Sequence, residues 1–289
     1  MVMCAKNRAM LLNRVLKQIV REVPFKNLII IYGSSVDGTK KIAENFTDKV
    51  FWDGDKGLGA ARNLGMRKAS SEIVAMIDTD VILAKGLYEL MIGHFKDPTV
   101  AAVMGSCIFG YGCLPLERLW RYYSLRDREN WGCSNTIFNR HLVLKVGNFD
   151  EAIYGACEDY DLYLRLLNAG YKWLWVKEAA VFHPLTMREY LNRVISWSRG
   201  RQSPEMRELT TYLAKTSLCR VYFNSVRHLM QAVFEGVRLS NRVHPIMLLY
   251  FPLMQTTVRL TCLKEPKGIM QEKYAFKLIS CSHTSIQRQ

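Results

Sequence analysis

The 289-residue sequence has eight cysteines but no Cys-x-x-Cys pair, and no histidine stands at zinc-ligand spacing from Cys107 and Cys113, the closest two. That excludes a zinc ribbon or finger, and scattered cysteines in a chain of this size read as reduced thiols. Acidic residues are scarce: 26 Asp and Glu stand against 40 Lys and Arg, a formal net charge of +14. Such an excess favours anionic partners: nucleic acid, anionic lipid or phosphorylated substrates. No helix-turn-helix, zinc or aromatic ribonucleoprotein motif is present, so nucleic acid is not an expected partner. No apolar run approaches the roughly 20 residues that a bilayer-spanning helix needs. There is no internal repeat, no low-complexity tract and no secretory pattern, since Met1–Ala5 meets Lys6 and Arg8 at once; a cytoplasmic location is expected. With 49% hydrophobic and 23% charged residues, global disorder is excluded. The length suits one large α/β domain, or one domain and an appendage.

What is present alternates. Val2–Ala5 reads as a short strand. Met10–Val23 carries Leu11, Val15, Ile19 and Val23 at a spacing of four, one face of a helix that Pro24 ends. Leu28–Tyr32 is a β-branched run suited to a strand buried on both faces. Gly33–Gly38 is a loop in which Asp37 can cap a helix starting near Thr39. Strands are expected at Lys49–Trp52, Ile73–Ile77 and Val100–Met104, and helices at Gly59–Ala69 and Gly86–Phe95. This repetition means right-handed βαβ units in an open parallel sheet, with ligands beyond the carboxyl ends of the strands. The loops after Tyr32 and Ile77 both lie at that edge.

From Cys107 the pattern changes. Leu116–Asn130 reads as a polar, aromatic helix, Gly132–Phe138 as a strand crossing the cleft, and Glu158–Ala169 as a helix ended by Gly170. Lys172–Val176 and Ala179–Phe182 are strand-like, and Arg188–Arg201 is a basic helix. A composition shift at Ser203-Pro204 sets a domain boundary, with 1–203 before it and a helical 204–289 after it. In that second part Tyr222, Val226, Leu229, Met230, Val233 and Val237 recur at helical spacing between arginines. The apolar run Pro245–Met254, broken by Pro252 and soon followed by Arg259, is expected to lie at a membrane interface beside this basic amphipathic helix; the alternative is a small helical cap.

Five segments carry candidate chemistry. Asp78-Thr79-Asp80 ends a buried strand and offers two carboxylates to a hard cation such as Mg²⁺ or Mn²⁺, though a solvated turn would look the same. Glu158-Asp159 opens a helix; the helix dipole alone favours acids there, and a general base is the sharper reading. His183, between Phe182 and Pro184, can complete a metal site or be structural. Arg199 and Arg201, around Gly200, can close over a diphosphate or form a solvated basic face. Arg62-Asn63, within Gly57–Gly65, can approach a nucleotide, although a glycine pattern alone says little.

The order of these pieces resembles family 2 glycosyltransferases of the GT-A fold, over Cys4 to about Gln202. Ala5-Lys6-Asn7-Arg8 is similar to the loop after the family's first strand. Ile29–Thr39 is similar to its second strand and the turn ending Asp37-Gly38-Thr39. Gly59–Gly65 resembles its A-R-N-x-G segment, and Asp78-Thr79-Asp80 its D-x-D. Val146–Asp150 resembles G-x-F-D, and Glu158–Leu162 resembles E-D-x-D-L. The resemblance implies a metal site of Asp80, Asp78 and His183, and Asp159 as catalytic base with Glu158 beside it. It implies nucleotide contacts from Asn7, Arg62, Asn63 and Asp78, and a diphosphate grip from Arg199 and Arg201. Where the family usually has two aspartates after the second strand, this chain has Tyr32-Gly33; Tyr32 can stack on or bond a base instead, leaving the nucleotide open.

The expected protein is thus a metal-dependent (Mn²⁺ or Mg²⁺) inverting transferase. It moves a sugar from a nucleotide-sugar donor to a hydroxyl on a lipid or glycan, peripherally at the cytoplasmic face of a membrane. A sugar-phosphate nucleotidyltransferase is a rival, but Met3–Arg8 lacks the glycine-rich, lysine-bearing loop of that class. A non-catalytic, membrane-associated binding protein on a degenerate transferase domain is a second rival, which Asp78, Asp80 and Asp159 oppose.

Overall fold

A computed structural model describes residues 1–22, 27–110, 132–153 and 158–184. In chain order the elements are β1 (Val2–Ala5), α1 (Ala9–Glu22), β2 (Ile29–Tyr32), α2 (Thr39–Glu44), β3 (Val50–Trp52), α3 (Leu58–Lys68), β4 (Ile73–Ile77), β5 (Ile82–Leu83), α4 (Leu87–Ile92), β6 (Val100–Gly110), β7 (Asn135–Asn139), α5 (Arg140–Lys145), α6 (Glu158–Asn168) and β8 (Lys172–Pro184). One eight-stranded sheet runs β3-β2-β1-β4-β7-β6-β8-β5. The first four strands are parallel, β7 is antiparallel to both β4 and β6, β6 and β8 are parallel, and β5 is antiparallel to β8.

The sheet is buried on both faces, which is why its strands read as continuous apolar runs. Met3 and Ile30 enter one core with Leu12, Val15, Leu16 and Ile19 of α1. Val2, Ile29 and Ile31 enter the other, with Ala61 and Met66 of α3 and Leu162 and Leu166 of α6. Each fully buried Leu, Ile or Met side chain stabilises the fold by roughly 1.5–3 kcal/mol. The buried face of α1 corrects the expectation from spacing: Leu12, Val15, Leu16 and Ile19 are at most 1% exposed, whereas Leu11 is only half-buried. A strict spacing of four drifts off one face of a helix with 3.6 residues per turn, while spacings of three and four alternating hold it.

Asp37 does more than cap one helix. Its Oδ1 accepts from the Thr39 backbone N–H at 3.1 Å at the start of α2, and its Oδ2 accepts from the Ala9 N–H at 2.9 Å at the start of α1. One carboxylate thereby satisfies orphan donors of two helices. The residue at the N-cap itself is Gly38, left-handed at φ 83°. At the other end of the described chain, α6 stops as its sequence suggests. Gly170 takes φ 82°, its N–H donates to Leu167 O, and Tyr171 N–H donates to Leu166 O, both at 3.0 Å.

Three elements were not expected as they stand. β5 is two residues long, and α5 is a single turn and a half capped by Asn139, whose side chain accepts from Leu142 N–H. The two strand-like pieces at 172–176 and 179–182 are one strand, β8, irregular where Gly105 pairs with Val176 but Ser106 pairs with Ala180. The irregularity is held by Asn135, whose amide donates to Ala179 O at 2.9 Å, and by Ser106, whose hydroxyl donates to Lys177 O at 2.9 Å. Beyond it Ala179, Val181 and His183 alternate inward with exposed Phe182.

The expected helices at Leu116–Asn130, Arg188–Arg201 and Tyr222–Val237, the run Pro245–Met254 and the boundary at 203/204 lie outside the described residues. Among the described residues, no helix is long and apolar enough to cross a membrane.

Candidate active site

The strand directions bring the chemistry to one edge. β1, β2, β3 and β4 all end there, so Asn7, Gly33, Asp53 and Asp78 follow the carboxyl ends of neighbouring strands. β7 runs the opposite way and begins there, with Asn135 opposite Ile77. β6 and β8 run with β4, so His183 ends β8 at the same edge.

Asp80 and His183 meet because β5 begins two residues after Asp80 and pairs with β8, Ile82 opposite Phe182. His183 Nε2 lies 3.0 Å from Asp80 Oδ1, at side-chain exposures of 1% and 10%. One donor atom each from Asp78, Asp80 and His183 falls within 4.8 Å of the others. Two carboxylate oxygens and an imidazole nitrogen suit Mn²⁺ or Mg²⁺ and leave coordination positions for phosphate oxygens. The residues present fit such an ion. Along β8, His183 occupies an inward position that follows Ala179 and Val181 in the two-residue alternation.

Asp78 belongs to two groups of residues. Its Oδ2 accepts from the Ser134 hydroxyl at 2.7 Å, and its Oδ1 lies 3.5 Å from Arg62. Arg62, 6% exposed, also pairs with Glu158 and stands 4.0 Å from Asp159 Oδ2. Burial works against the Arg62 charge, but Cys133, then Glu158, Asp78 and Asp159, outweigh it and hold the guanidinium well above its ordinary pKa. Burial pushes the Glu158 carboxyl up, and Arg62 opposes that rise. Asp159, with 24% side-chain exposure, is the more open of the two acids that begin α6. The third acid, Asp161, accepts from Arg165 one turn on at 2.9 Å and serves the helix.

α3 reaches these acids because Gly59 has no side chain. A Cβ there would lie 2.7 Å from Asp150 O and 3.1 Å from Ile153 O. The turn carrying those carbonyls is anchored by Phe149, fully buried and edge-on to Phe138 with ring centroids 6.1 Å apart. Asn63 secures the same turn. Its amide donates to Phe149 O at 2.5 Å, and Asn148 donates to Asn63 O at 3.1 Å. At 3% exposure, Asn63 is placed by the structure against this turn rather than at the open edge.

The remaining sequence candidates are dispersed. Asn7, left-handed at φ 52°, uses Oδ1 to accept from Val36 N–H at 3.0 Å and so braces the loop after β2. Tyr32 is half-buried at the edge, with the Lys40 ammonium 5.8 Å from its ring centre. Arg199 and Arg201 lie outside the described residues. Sequence reasoning missed Ser134 and the cluster in which Asp55 accepts from Lys6 Nζ at 3.0 Å and from both the backbone N–H (2.9 Å) and the hydroxyl of Ser34. A lone serine or aspartate in a loop carries no pattern that would have marked either.

Comparison with known proteins agrees with this arrangement. The sequence profile of glycosyl transferase family 2 matches residues 1–146. The pre-mycofactocin glycosyltransferase of Mycobacterium tuberculosis is 34% identical over 142 residues, which is 44% of this chain and 30% of that protein. The O-antigen chain rhamnosyltransferase WbaN of Salmonella anatum is 31% identical over 176 residues, 54% of this chain and 56% of that protein. The chain thus spans between about a third and just over half the length of these relatives. Among solved structures, mannosyltransferase PcManGT from Pyrobaculum calidifontis, in complex with GDP-Man and Mn²⁺, superposes with a TM-score of 0.55 at 20% identity, covering 99% of this chain and 75% of that one. GalNAc-T7 with UDP, GalNAc and Mn²⁺ gives 0.53 at 17% identity, covering 86% of this chain and 55% of that one. The mixed sheet with flanking helices is the GT-A fold.

Proposed function

The chain belongs to glycosyl transferase family 2, and from that premise we propose that it is a metal-dependent inverting glycosyltransferase. The observation that carries the reading is the shared edge: Asp78, one of the Asp78, Asp80 and His183 donor set, and the carboxylate of Asp159 both lie within 4.0 Å of the Arg62 guanidinium. Mn²⁺ or Mg²⁺ held by Asp78, Asp80 and His183 would neutralise charge gathering on the departing diphosphate.

The chain's own residues supply the rest. Asp159 faces the acceptor and takes the proton of its hydroxyl as that oxygen bonds to the anomeric carbon. The bond from the same carbon to the diphosphate oxygen breaks with its electron pair, and the nucleoside diphosphate leaves from the opposite face. One displacement gives one inversion. Tyr32 and Asn7, beside the carboxyl ends of β2 and β1, are placed to border the nucleoside. Arg199 and Arg201 are proposed to hold the diphosphate.

Residues 1–203 are proposed as the catalytic domain and 204–289 as a region that contacts the cytoplasmic face of a membrane. Charge distribution supports this: residues 204–289 hold 12 Lys and Arg against 5 Asp and Glu, half of the chain's excess. A lipid or glycan acceptor at that surface follows. The solved PcManGT complex holds GDP-Man, and Tyr32-Gly33 makes a guanosine diphosphate donor as admissible as a uridine one.

The test is a thermal-shift panel of nucleoside diphosphates with and without Mn²⁺, followed by transfer assays with the corresponding donors and NMR of the product anomer. Stabilisation by one diphosphate that requires Mn²⁺, with inverted product, is expected. No nucleotide-dependent shift under any condition would refute the reading.

A further inference from the structure

Arg62 stands where the two halves of the site join. Its three carboxylate neighbours have three different places: Asp78 in the metal donor set, Asp159 at the open cleft, and Glu158, 2% exposed, behind them. Sequence reading gives Arg62 to the nucleotide. Yet its side chain is 7% exposed, and Glu158 engages it from within. Gly59, one turn earlier on α3, abuts the backbone of 150–153 and the Cβ of Glu158. α3 is therefore packed directly against the start of α6, and Arg62 leaves it toward the acids there. A guanidinium is a rigid planar fork; with one branch fixed on Glu158, the directions offered to other carboxylates are fixed too.

We propose that Arg62 is a positioning residue: anchored on Glu158, it sets the separation of Asp78 and Asp159, and so joins the cation-bearing half of the site to the proton-accepting half without touching the donor. Two consequences follow. Arg62 offsets negative charge at Asp78, so its removal strengthens binding of a bare divalent cation. It also aligns Asp159, so its replacement slows transfer while leaving donor affinity alone. The second consequence rests on the glycosyl-transfer reading; the first does not.

The experiment uses the full chain with Arg62→Lys, Arg62→Gln and the double variant Arg62→Gln/Glu158→Gln. The double variant guards against Arg62→Gln failing to fold with Glu158 left uncompensated. Mn²⁺ affinity is read by electron paramagnetic resonance of the free ion, nucleoside diphosphate affinity by calorimetry, and kcat and KM by transfer. Arg62→Lys is expected to lower kcat at least about tenfold with diphosphate affinity within roughly threefold of wild type. In an Asp159→Asn background the same change should cost nothing further. Both glutamine variants should bind Mn²⁺ more tightly, a gain that loss of structure alone would not produce. An Arg62→Lys enzyme with normal kcat and weakened diphosphate binding would return Arg62 to the donor pocket and overturn the proposal. So would Mn²⁺ affinity that is unchanged or weaker in both glutamine variants. If wild type transfers no sugar, the functional reading falls, and the Mn²⁺ measurement still decides the role of Arg62.

Discussion

His183 Nε2 and Asp80 Oδ1 lie 3.0 Å apart, joined across the sheet by a two-residue strand. Neither residue alone marks a metal site, and the pairing of Ile82 with Phe182 is what brings them together. His183→Ala is expected to weaken Mn²⁺ binding by about tenfold or more. Asp80→Ala should abolish transfer while the far-ultraviolet circular dichroism stays native. The checks are Mn²⁺ titration and the Mn²⁺-dependent rise in melting temperature; an unchanged rise in either variant would remove that residue from the donor set.

Asp159→Asn keeps the shape and loses the base. Nucleoside diphosphate binding should persist, and kcat should fall by about 10²–10⁴. Full turnover in this variant would require the proton to go elsewhere.

Much of this was legible in the sequence, for a physical reason. Strands β1 to β4 and helices α1 to α4 are specified by local patterns, so apolar runs and helical periods located them within a few residues. The same holds for Asp78, Asp80 and the acids of α6, each tied to an element end. What was not legible depends on distant pairings. β5 is too short to have a period. The junction in β8 depends on Asn135 and Ser106, far away in sequence. The use of the Asn63 amide on Phe149 O depends on a turn far away in sequence, which a short polar side chain after an arginine does not announce.

Gly59→Ala tests the close approach of α3 to the start of α6. The new methyl would meet Asp150 O at 2.7 Å, and backbone cannot move aside as a flexible side chain can. A loss of about 1–3 kcal/mol is expected, read as a lower midpoint in urea unfolding. Activity should fall more than stability, because the displaced helix carries Arg62.

Asp55 connects stability to acid. Hydrogen bonds from the Ser34 hydroxyl and backbone, then from Lys6, hold its pKa down at about 2, below that of an ordinary aspartate. A depressed folded-state pKa means the contribution is fully present above about pH 4 and disappears as pH falls toward 2. Asp55→Asn should therefore be less stable than wild type at neutral pH, and the two urea midpoints should converge as the medium is acidified through that window. A difference that persists at pH 2 would show that the carboxylate charge is not its source.

Cys4 and Cys133 flank the site and should be inert. Burial pushes the Cys4 thiol up to about 12 and drives Cys133 in the same direction. At pH 8 the thiolate fraction, which is the reactive form, is then negligible. Mass spectrometry after iodoacetamide should find both unmodified in the folded protein and modified in denaturant; rapid labelling without denaturant would contradict the enclosure of Cys133 or the raised pKa of half-buried Cys4.

The irregular step in β8 has a consequence for how the chain tolerates insertions and deletions. Between Gly105 and Ser106 on one strand, the partner advances from Val176 to Ala180. Inward and outward side chains alternate every residue. Removing one residue from 177–179 would leave β8 able to pair along β6, yet would turn Phe182 into the interior and His183 out to solvent. The length of that short detour thus decides whether His183 faces Asp80, whose Oδ1 lies against His183 Nε2.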